Sequence, residues 1–246
     1  MSRTALVTGA SRGIGRAIAV ALGASGHHVA CGFASDADGA SATAAAVVEA
    51  GGSASAHHID VVDVASVDAA FTDIEEAFGP VTILVNNAGV TADGLVARMS
   101  DDQWDQVLTT NLTGAFHTIR RATPKMMRAR SGRIVNISSV SGLMGAPGQA
   151  NYASAKAGLV GLTRALAREL APRNITCNIV APGPIVTAMT DTMPPEWRSA
   201  MEMTVPLGRL GTPEEVAAAV DFLCTEAAGY VTGAIIPVDG GLGMGH

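Results

Sequence analysis

Short runs of apolar, often β-branched residues alternate along the chain with longer stretches whose apolar positions recur at helical spacing. Ala5-Leu6-Val7 is the first run and leads into a predicted helix from Gly13 to about Ser25. Val29-Ala30-Cys31 precedes an Ala-rich helix from about Gly39 to Ala50. A strand near Ala56 to Ile59 precedes a helix through Val67 to Phe78, followed by Thr82-Ile83-Leu84-Val85. A long helical stretch covers about Gln103 to Arg130, then the strand Ile134-Val135-Asn136-Ile137. Asn151 to Leu170 reads as helix and Ile175 to Val180 as strand. A late helix starts at Thr212-Pro213-Glu214-Glu215, where Thr212 can cap, Pro213 fits the first turn and the glutamates suit the positive end. Ala234 to Val238 is the last strand. This alternation predicts an α/β fold with a mostly parallel, doubly wound sheet and helices on both faces.

There is no Pro/Ser-rich linker and no internal repeat, so residues 1–246 read as a single domain. The segment Pro184 to Leu210 interrupts the alternation and holds Met189, Met193, Met201, Met203, Trp197 and the pair Pro194-Pro195. An apolar insert of that length reads as a lid or substrate wall, and packing against a partner subunit gives the same pattern.

Composition narrows the class. The 246 residues are 48% hydrophobic and 15% charged, which excludes a disordered chain, and 28 glycines suit tight turns and close backbone approach. Net charge is −6 and no basic run appears, so nucleic acid is not an expected partner. Cys31, Cys177 and Cys224 lie in apolar surroundings without close spacing, which predicts buried reduced thiols and a cytoplasmic, reducing compartment. The N-terminal residues run straight into a strand, leaving no room for a signal peptide, and the longest uncharged stretch, 134–155, is too polar to span a membrane. His27-His28 and His57-His58 read as solvated loop positions rather than metal ligands, and no metal is expected.

Thr8-Gly9-Ala10-Ser11-Arg12-Gly13-Ile14-Gly15 follows the first strand. Its first glycine permits a sharp turn; the later two let backbone amides and a helix start approach a pyrophosphate. The second strand ends Gly32-Phe33-Ala34-Ser35 without a carboxylate, and Arg12 can pair with a phosphate, which favours NADPH over NADH. Asp36 and Asp38 weigh the other way unless they cap the next helix.

Tyr152 and Lys156 stand four residues apart on one helix face, thirteen residues after Ser139. A phenol is a poor acid at neutral pH unless its phenolate is stabilised, and a lysine one turn away supplies that charge. Ser139 lies past the carboxyl end of a strand, where open α/β sheets place ligands, and can bond a carbonyl oxygen. Asn111 is a poor helix former inside a helical stretch, which a polar role such as holding a water would explain. Each residue alone has a plainer reading: a turn serine, a packed aromatic, an exposed charge, a kink. Together with the glycine loop they point to proton transfer beside a nicotinamide.

These residues, with Asp60-Val61, Asn86-Asn87-Ala88-Gly89 and Pro182-Gly183, closely resemble the short-chain dehydrogenase/reductase family from Thr4 to Gly241. The resemblance implies a Rossmann fold and an Asn111–Ser139–Tyr152–Lys156 tetrad. In it Tyr152 protonates the substrate oxygen, Ser139 orients it, Lys156 lowers the tyrosine pKa and bonds the nicotinamide ribose, and Asn111 holds a relay water. It also implies cofactor contacts at Gly9, Ser11, Arg12, Gly13, Ile14, Gly15, Asp60, Val61, Asn87, Ala88, Gly89, Pro182, Gly183, Ile185 and Thr187.

Within the family the chain is most similar to the beta-ketoacyl-[acyl-carrier-protein] reductases of bacterial fatty acid synthesis, on Asn86 to Leu95, Gly148 to Gly158 and Val231 to Gly241. That likeness implies NADPH-dependent reduction of a carrier-bound 3-oxoacyl thioester and a homotetramer formed through the long helices and the C-terminal strand. It places Arg130 and Arg173 beside the cleft as contacts for the acidic carrier, a role that competes with ordinary solvated charge at helix ends. Pro184 stands where a large or aromatic residue is common, which bears on acyl preference. Two alternatives remain at this stage: a reductase of another ketone (acetoacetyl-CoA, a sugar, a steroid), and a nucleotide-binding scaffold or sensor without turnover.

Overall fold

A computed structural model describes residues 2–186 and 195–244. Seven parallel strands run β1 (Thr4–Val7), β2 (His28–Phe33), β3 (Ser53–His58), β4 (Val81–Asn86), β5 (Gly132–Ile137), β6 (Ile175–Pro182) and β7 (Ile235–Val238). Their spatial order is β3-β2-β1-β4-β5-β6-β7. The order reverses between β1 and β4, and a crevice opens at the carboxyl ends of strands on either side of such a switch.

Strand periodicity divides the core. Ala5 and Val7, Val29 and Cys31, and Ile83 and Val85 face one side, where Ile18 and Leu22 of α1 (Gly13–Ala24), Val47 of α2 (Ala37–Glu49) and Val216, Val220 and Leu223 of α9 (Pro213–Cys224) cover them. Leu6, Ala30, Leu84 and Ile134 face the other. There they meet Phe71 and Ile74 of α3 (Val64–Phe78), Ile119 and Met126 of α5 (Gly114–Ala129) and Leu170 of α7 (Ala150–Leu170). Burying a side chain such as Phe71 or Leu84 contributes about 1.5–3 kcal/mol, so the two faces together hold the sheet.

The late helix starts as the sequence predicts: Thr212 accepts from Glu215 N and the Glu215 carboxylate accepts from Thr212 N. Asp36 caps α2 by accepting from Gly39 N at 2.9 Å, and it also lines the cleft beside Ser35.

Three expectations change. The stretch Gln103 to Arg130 is broken into α4 (Asp101–Leu108), a π turn at Thr109–Thr113 and α5. Thr-Thr-Asn-Leu-Thr combines weak helix formers with Gly114, where a Cβ would stand 2.6 Å from Val61 Cγ2. A short helix α6 (Ser141–Met144) follows β5 where none was expected. His27 and His28 are buried, not solvated: His28 bonds the Ser53 and Ser55 hydroxyls at 2.8 and 3.0 Å and stacks on Phe78. All three cysteines are free and buried, as expected, and burial pushes each thiol up to about 12. Among the described residues no His/Cys/Asp/Glu group could hold a metal, and no helix is long and apolar enough to cross a membrane.

Of the interrupting segment, the described part comprises its two bases and α8 (Pro195–Thr204). The bases are zipped together, with Gly211 N donating to Pro184 O and Val186 N to Gly211 O. On β7, the N–H of Ile179 bonds Ala234 O and that of Gly183 bonds Val238 O, so even-numbered residues face β6 and Pro237 faces the open edge.

Candidate active site

The crevice at the switch point is a cleft of about 360 Å³. Gly9, Ser11, Arg12, Ile14, Gly15, Asp60, Val61, Asn87, Ala88 and Gly89, all expected to contact a cofactor, line it. Gly13 instead faces the groove between α1 and α9. Phe33, Ile59, Val90 and Thr110 also line the cleft and were not singled out. Phe33 and Ile59 end or follow β2 and β3, so the rule that ligands sit at carboxyl ends of parallel strands would have found them.

The cradle is made by missing side chains and by stitching between loops. Gly9 has φ +64°, and a Cβ there would lie 2.9 Å from Ala88 Cα. A Cβ on Gly15 would overlap the Gly9 carbonyl oxygen and stand 2.5 Å from Asn87 Nδ2. Asn87 Nδ2 donates to the carbonyls of Thr8 and Gly9, while Thr8 Oγ1 accepts from the amides of Asn87 and Ala88. The first turn of α1 has neither a side-chain cap nor an acidic residue, whereas α2, α3, α4 and α9 are capped by Asp36, Asp63, Ser100 and Thr212. Uncapped amides at a helix start beside a glycine cradle fit the pyrophosphate of a dinucleotide.

The residues expected to be catalytic adjoin this cradle. A Cβ on Gly89 would stand 2.9 Å from Asn111 Oδ1 and 3.5 Å from Lys156 Nζ. Lys156 is 4% exposed. Its ammonium donates to Ile137 O at 2.8 Å and sits 5.5 Å from the centre of the Tyr152 ring. Burial draws this lysine down to about 8. Burial also pushes the Tyr152 phenol above its ordinary value, against a hydrogen bond with Ser139 that pulls it down; Asp93 adds to the rise. The Lys156 ammonium, turned to the Ile137 carbonyl, is not among the causes that act on the phenol here. Ser139 is itself fixed by the Ser141 amide, which donates to its Oγ at 3.1 Å. Asn111 accepts from Val90 N at 2.8 Å and donates to Val90 O at 2.9 Å, so its amide ties the π turn to the end of the Asn-Asn-Ala-Gly loop.

A family model described as Enoyl-(Acyl carrier protein) reductase matches residues 9–243. The chain belongs to the short-chain dehydrogenase/reductase family. Similar relatives include the 3-oxoacyl-[acyl-carrier-protein] reductase FabG of Staphylococcus aureus (strain N315), 47% identical over 244 residues and covering 99% of each chain. FabG of Staphylococcus epidermidis (strain ATCC 12228 / FDA PCI 1200) is 45% identical over 99% of this chain and 100% of its own. The 3-oxoacyl-[acyl-carrier-protein] reductase MabA of Mycobacterium tuberculosis (strain CDC 1551 / Oshkosh) is 46% identical over 250 residues, covering 100% of this chain and 95% of its own.

The remaining positions carried over from the short-chain dehydrogenase/reductase pattern fare unevenly. Pro182 ends β6, and Gly183 lies so close to the last loop that a Cβ would stand 2.7 Å from Asp239 Cα. The Ile185 side chain is buried in the core with Val180 and Val216, so only its backbone is left to border a ligand. Thr187, Met189 and Met193 lie outside the described residues. Arg130 and Arg173 are neighbours, with Arg130 Nη2 donating to Pro172 O at 3.3 Å. They do not stand beside the cleft of their own chain. Arg130 precedes β5 and Ser139 follows it, so roughly 20 Å of extended strand separates them. A helix that packs against a parallel sheet ends where the next strand begins, which puts both arginines at the edge opposite the catalytic serine.

Proposed function

We propose that this protein is an NADPH-dependent reductase of 3-oxoacyl thioesters carried on acyl carrier protein, acting in fatty acid synthesis. The observation that carries the reading is the convergence of Tyr152, Ser139 and Lys156 at the carboxyl edge of the sheet, next to a dinucleotide-shaped cradle. Near-full-length likeness to reductases named for that substrate supports it.

A bound nicotinamide supplies the hydride. Ser139 and Tyr152 share a hydrogen bond and together offer hydroxyls to one substrate oxygen; Ser139 holds it and Tyr152 donates the proton. Lys156 stands 5.5 Å from the centre of the Tyr152 ring and would hold the nicotinamide ribose while keeping positive charge near the phenol. The Asn111 amide is taken up by Val90, so a water relaying protons to the lysine would be held by the main chain of the π turn rather than by that side chain. The family model's description names a reductase of carbon–carbon double bonds. A pair of hydroxyls aimed at one acceptor suits a carbonyl oxygen better, which favours the ketone.

For the cofactor, Ser35 just beyond β2, Arg12 at the cleft and the engagement of one Asp36 oxygen in a helix cap favour a 2′-phosphate over a bare ribose. A carrier docked on Arg130 and Arg173, at the opposite edge, would have to deliver its acyl group to another protomer's cleft, which calls for the homotetramer the likeness implies. Exposed Trp104 and Phe116 on the long helices are apolar surface of the kind such an assembly covers. Free buried thiols fit the cytoplasm.

A substrate panel tests the reading: carrier-bound and CoA-bound 3-oxoacyl thioesters against sugars and steroids, each with both nicotinamides. Highest kcat/KM for the carrier-bound thioester with NADPH is the expected result. A sugar or steroid preference moves the chain to another ketone, and tight NADPH binding without turnover makes it a scaffold. Charge reversal at Arg130 and Arg173 should raise KM for the carrier-bound substrate alone; an equal effect on a small thioester removes the docking role.

A further inference from the structure

Two residues of β5 and its extension grip α7. Asn136 and Ser138 are two apart, so they face the same side of the strand. Lys156 and Thr163 are seven apart, so they lie on the same face of the helix two turns from each other. Asn136 Nδ2 donates to Thr163 Oγ1 at 2.8 Å, and Ser138 Oγ donates to the main-chain carbonyl of Lys156 at 2.9 Å. Ser138 is 2% exposed, and its own amide is held by Val180 O at 2.8 Å. Ile137 O takes the Lys156 ammonium. On the adjoining side Gly142 comes so close that a Cβ would stand 2.7 Å from Lys156 Cβ. Both ends of Lys156 are thus held by the two residues immediately before Ser139.

We propose that Ser138 is a positioning residue of the reaction: its hydroxyl, on the Lys156 carbonyl, sets where the catalytic turn of α7 stands against Ser139. A helix carbonyl needs no second donor to keep its helix, so this bond adds register rather than secondary structure. Register is what a strand-borne serine and a helix-borne tyrosine and lysine require, because a shift of about 1 Å in such a constellation costs on the order of a hundredfold in rate. If the hydroxyl were only a satisfied polar group in the core, its loss would touch stability and nothing else.

The inference rests on the reductase reading, and its test has an arm that does not. Lys125 and Lys156 are the two lysines of the chain, so lysine-selective 13C labelling gives two side-chain titrations by NMR. Ser138→Ala should lower kcat about tenfold, leave KM for NADPH within about threefold and move the Lys156 titration midpoint, and Ser138→Thr should restore all three. Thr163→Val, which removes a core hydrogen bond two turns away from Lys156 and touches neither of its ends, is the stability control: it should lower Tm comparably with the Lys156 midpoint and kcat unchanged. A Ser138→Ala variant that loses only stability, or that matches Thr163→Val in every readout, overturns the proposal. Should Ser138→Ala not fold, Ser138→Cys keeps the volume, weakens the donor and is read the same way. If the wild type reduces no 3-oxoacyl thioester, the functional reading fails, while the NMR midpoint still decides whether Ser138 places Lys156.

Discussion

The glycine cradle and the proposed catalytic set lie side by side at one edge of the sheet and are built by opposite means. The cradle is backbone: Gly9 and Gly15 leave room that any Cβ would fill, and the uncapped start of α1 presents amides. The predicted catalytic set is side chain: Tyr152, Lys156 and Ser139 come from two elements whose relative register is held by the buried bonds of Ser138 and of the Lys156 ammonium. The first site is specified by what is absent and the second by what is pinned. They should therefore fail differently when perturbed.

The largest effect separates chemistry from binding. Tyr152→Phe keeps the ring and removes the proton donor, so kcat should fall about 10²–10⁴-fold with NADPH affinity, read by fluorescence titration, nearly unchanged. Gly15→Ala probes the other site. The new methyl must push Gly9 or Asn87 aside, so NADPH Kd should rise at least about tenfold, with a smaller fall in kcat at saturating cofactor. A variant that lost kcat and kept Kd would dissolve the contrast.

Lys156→Met sharpens it through stability. The ammonium is buried among the described residues without a carboxylate, and its pKa falls from 10.5 to about 8 on folding. Removing it should abolish turnover yet raise stability near neutral pH by about 2–3 kcal/mol. Between about pH 8 and pH 10.5 the unfolded chain binds more protons at this site than the folded one, so this group makes stability rise with pH across that window. Urea midpoints measured across it should climb in the wild type and lose that component in the variant.

The smallest effect lies away from both sites. Burial holds His28 and His57 below the ordinary 6.5, so the unfolded chain protonates first as pH falls. The stability due to their neutral forms is present above about 6.5 and drains below it, and His28→Gln should flatten the drop in urea midpoint between about pH 7.5 and pH 5.

How much of this was legible follows the same division. Positions read from local chemistry were found: the glycine loop, the strand runs, and Tyr152 and Lys156 one turn apart. Positions set by what packs against them were not. Nothing local marks Ser138 as the partner of the Lys156 carbonyl, or tells that Asn111 would tie a π turn to Val90. The paired histidines look polar and therefore solvated, until Ser53, Ser55 and Phe78 are folded around one of them. Arg130 and Arg173 were assigned beside the cleft by likeness, but a position's matching residue does not tell which end of its strand faces the ligand within one chain.

Pro237 carries a consequence of another kind. It sits on the outermost strand with its nitrogen toward the unpaired side of that strand, and a proline nitrogen has no hydrogen to offer. A neighbouring chain that tried to lengthen the ladder there would find a donor missing midway through a four-residue edge. Copies can crowd against that side through their side chains without being stitched into an endless ribbon.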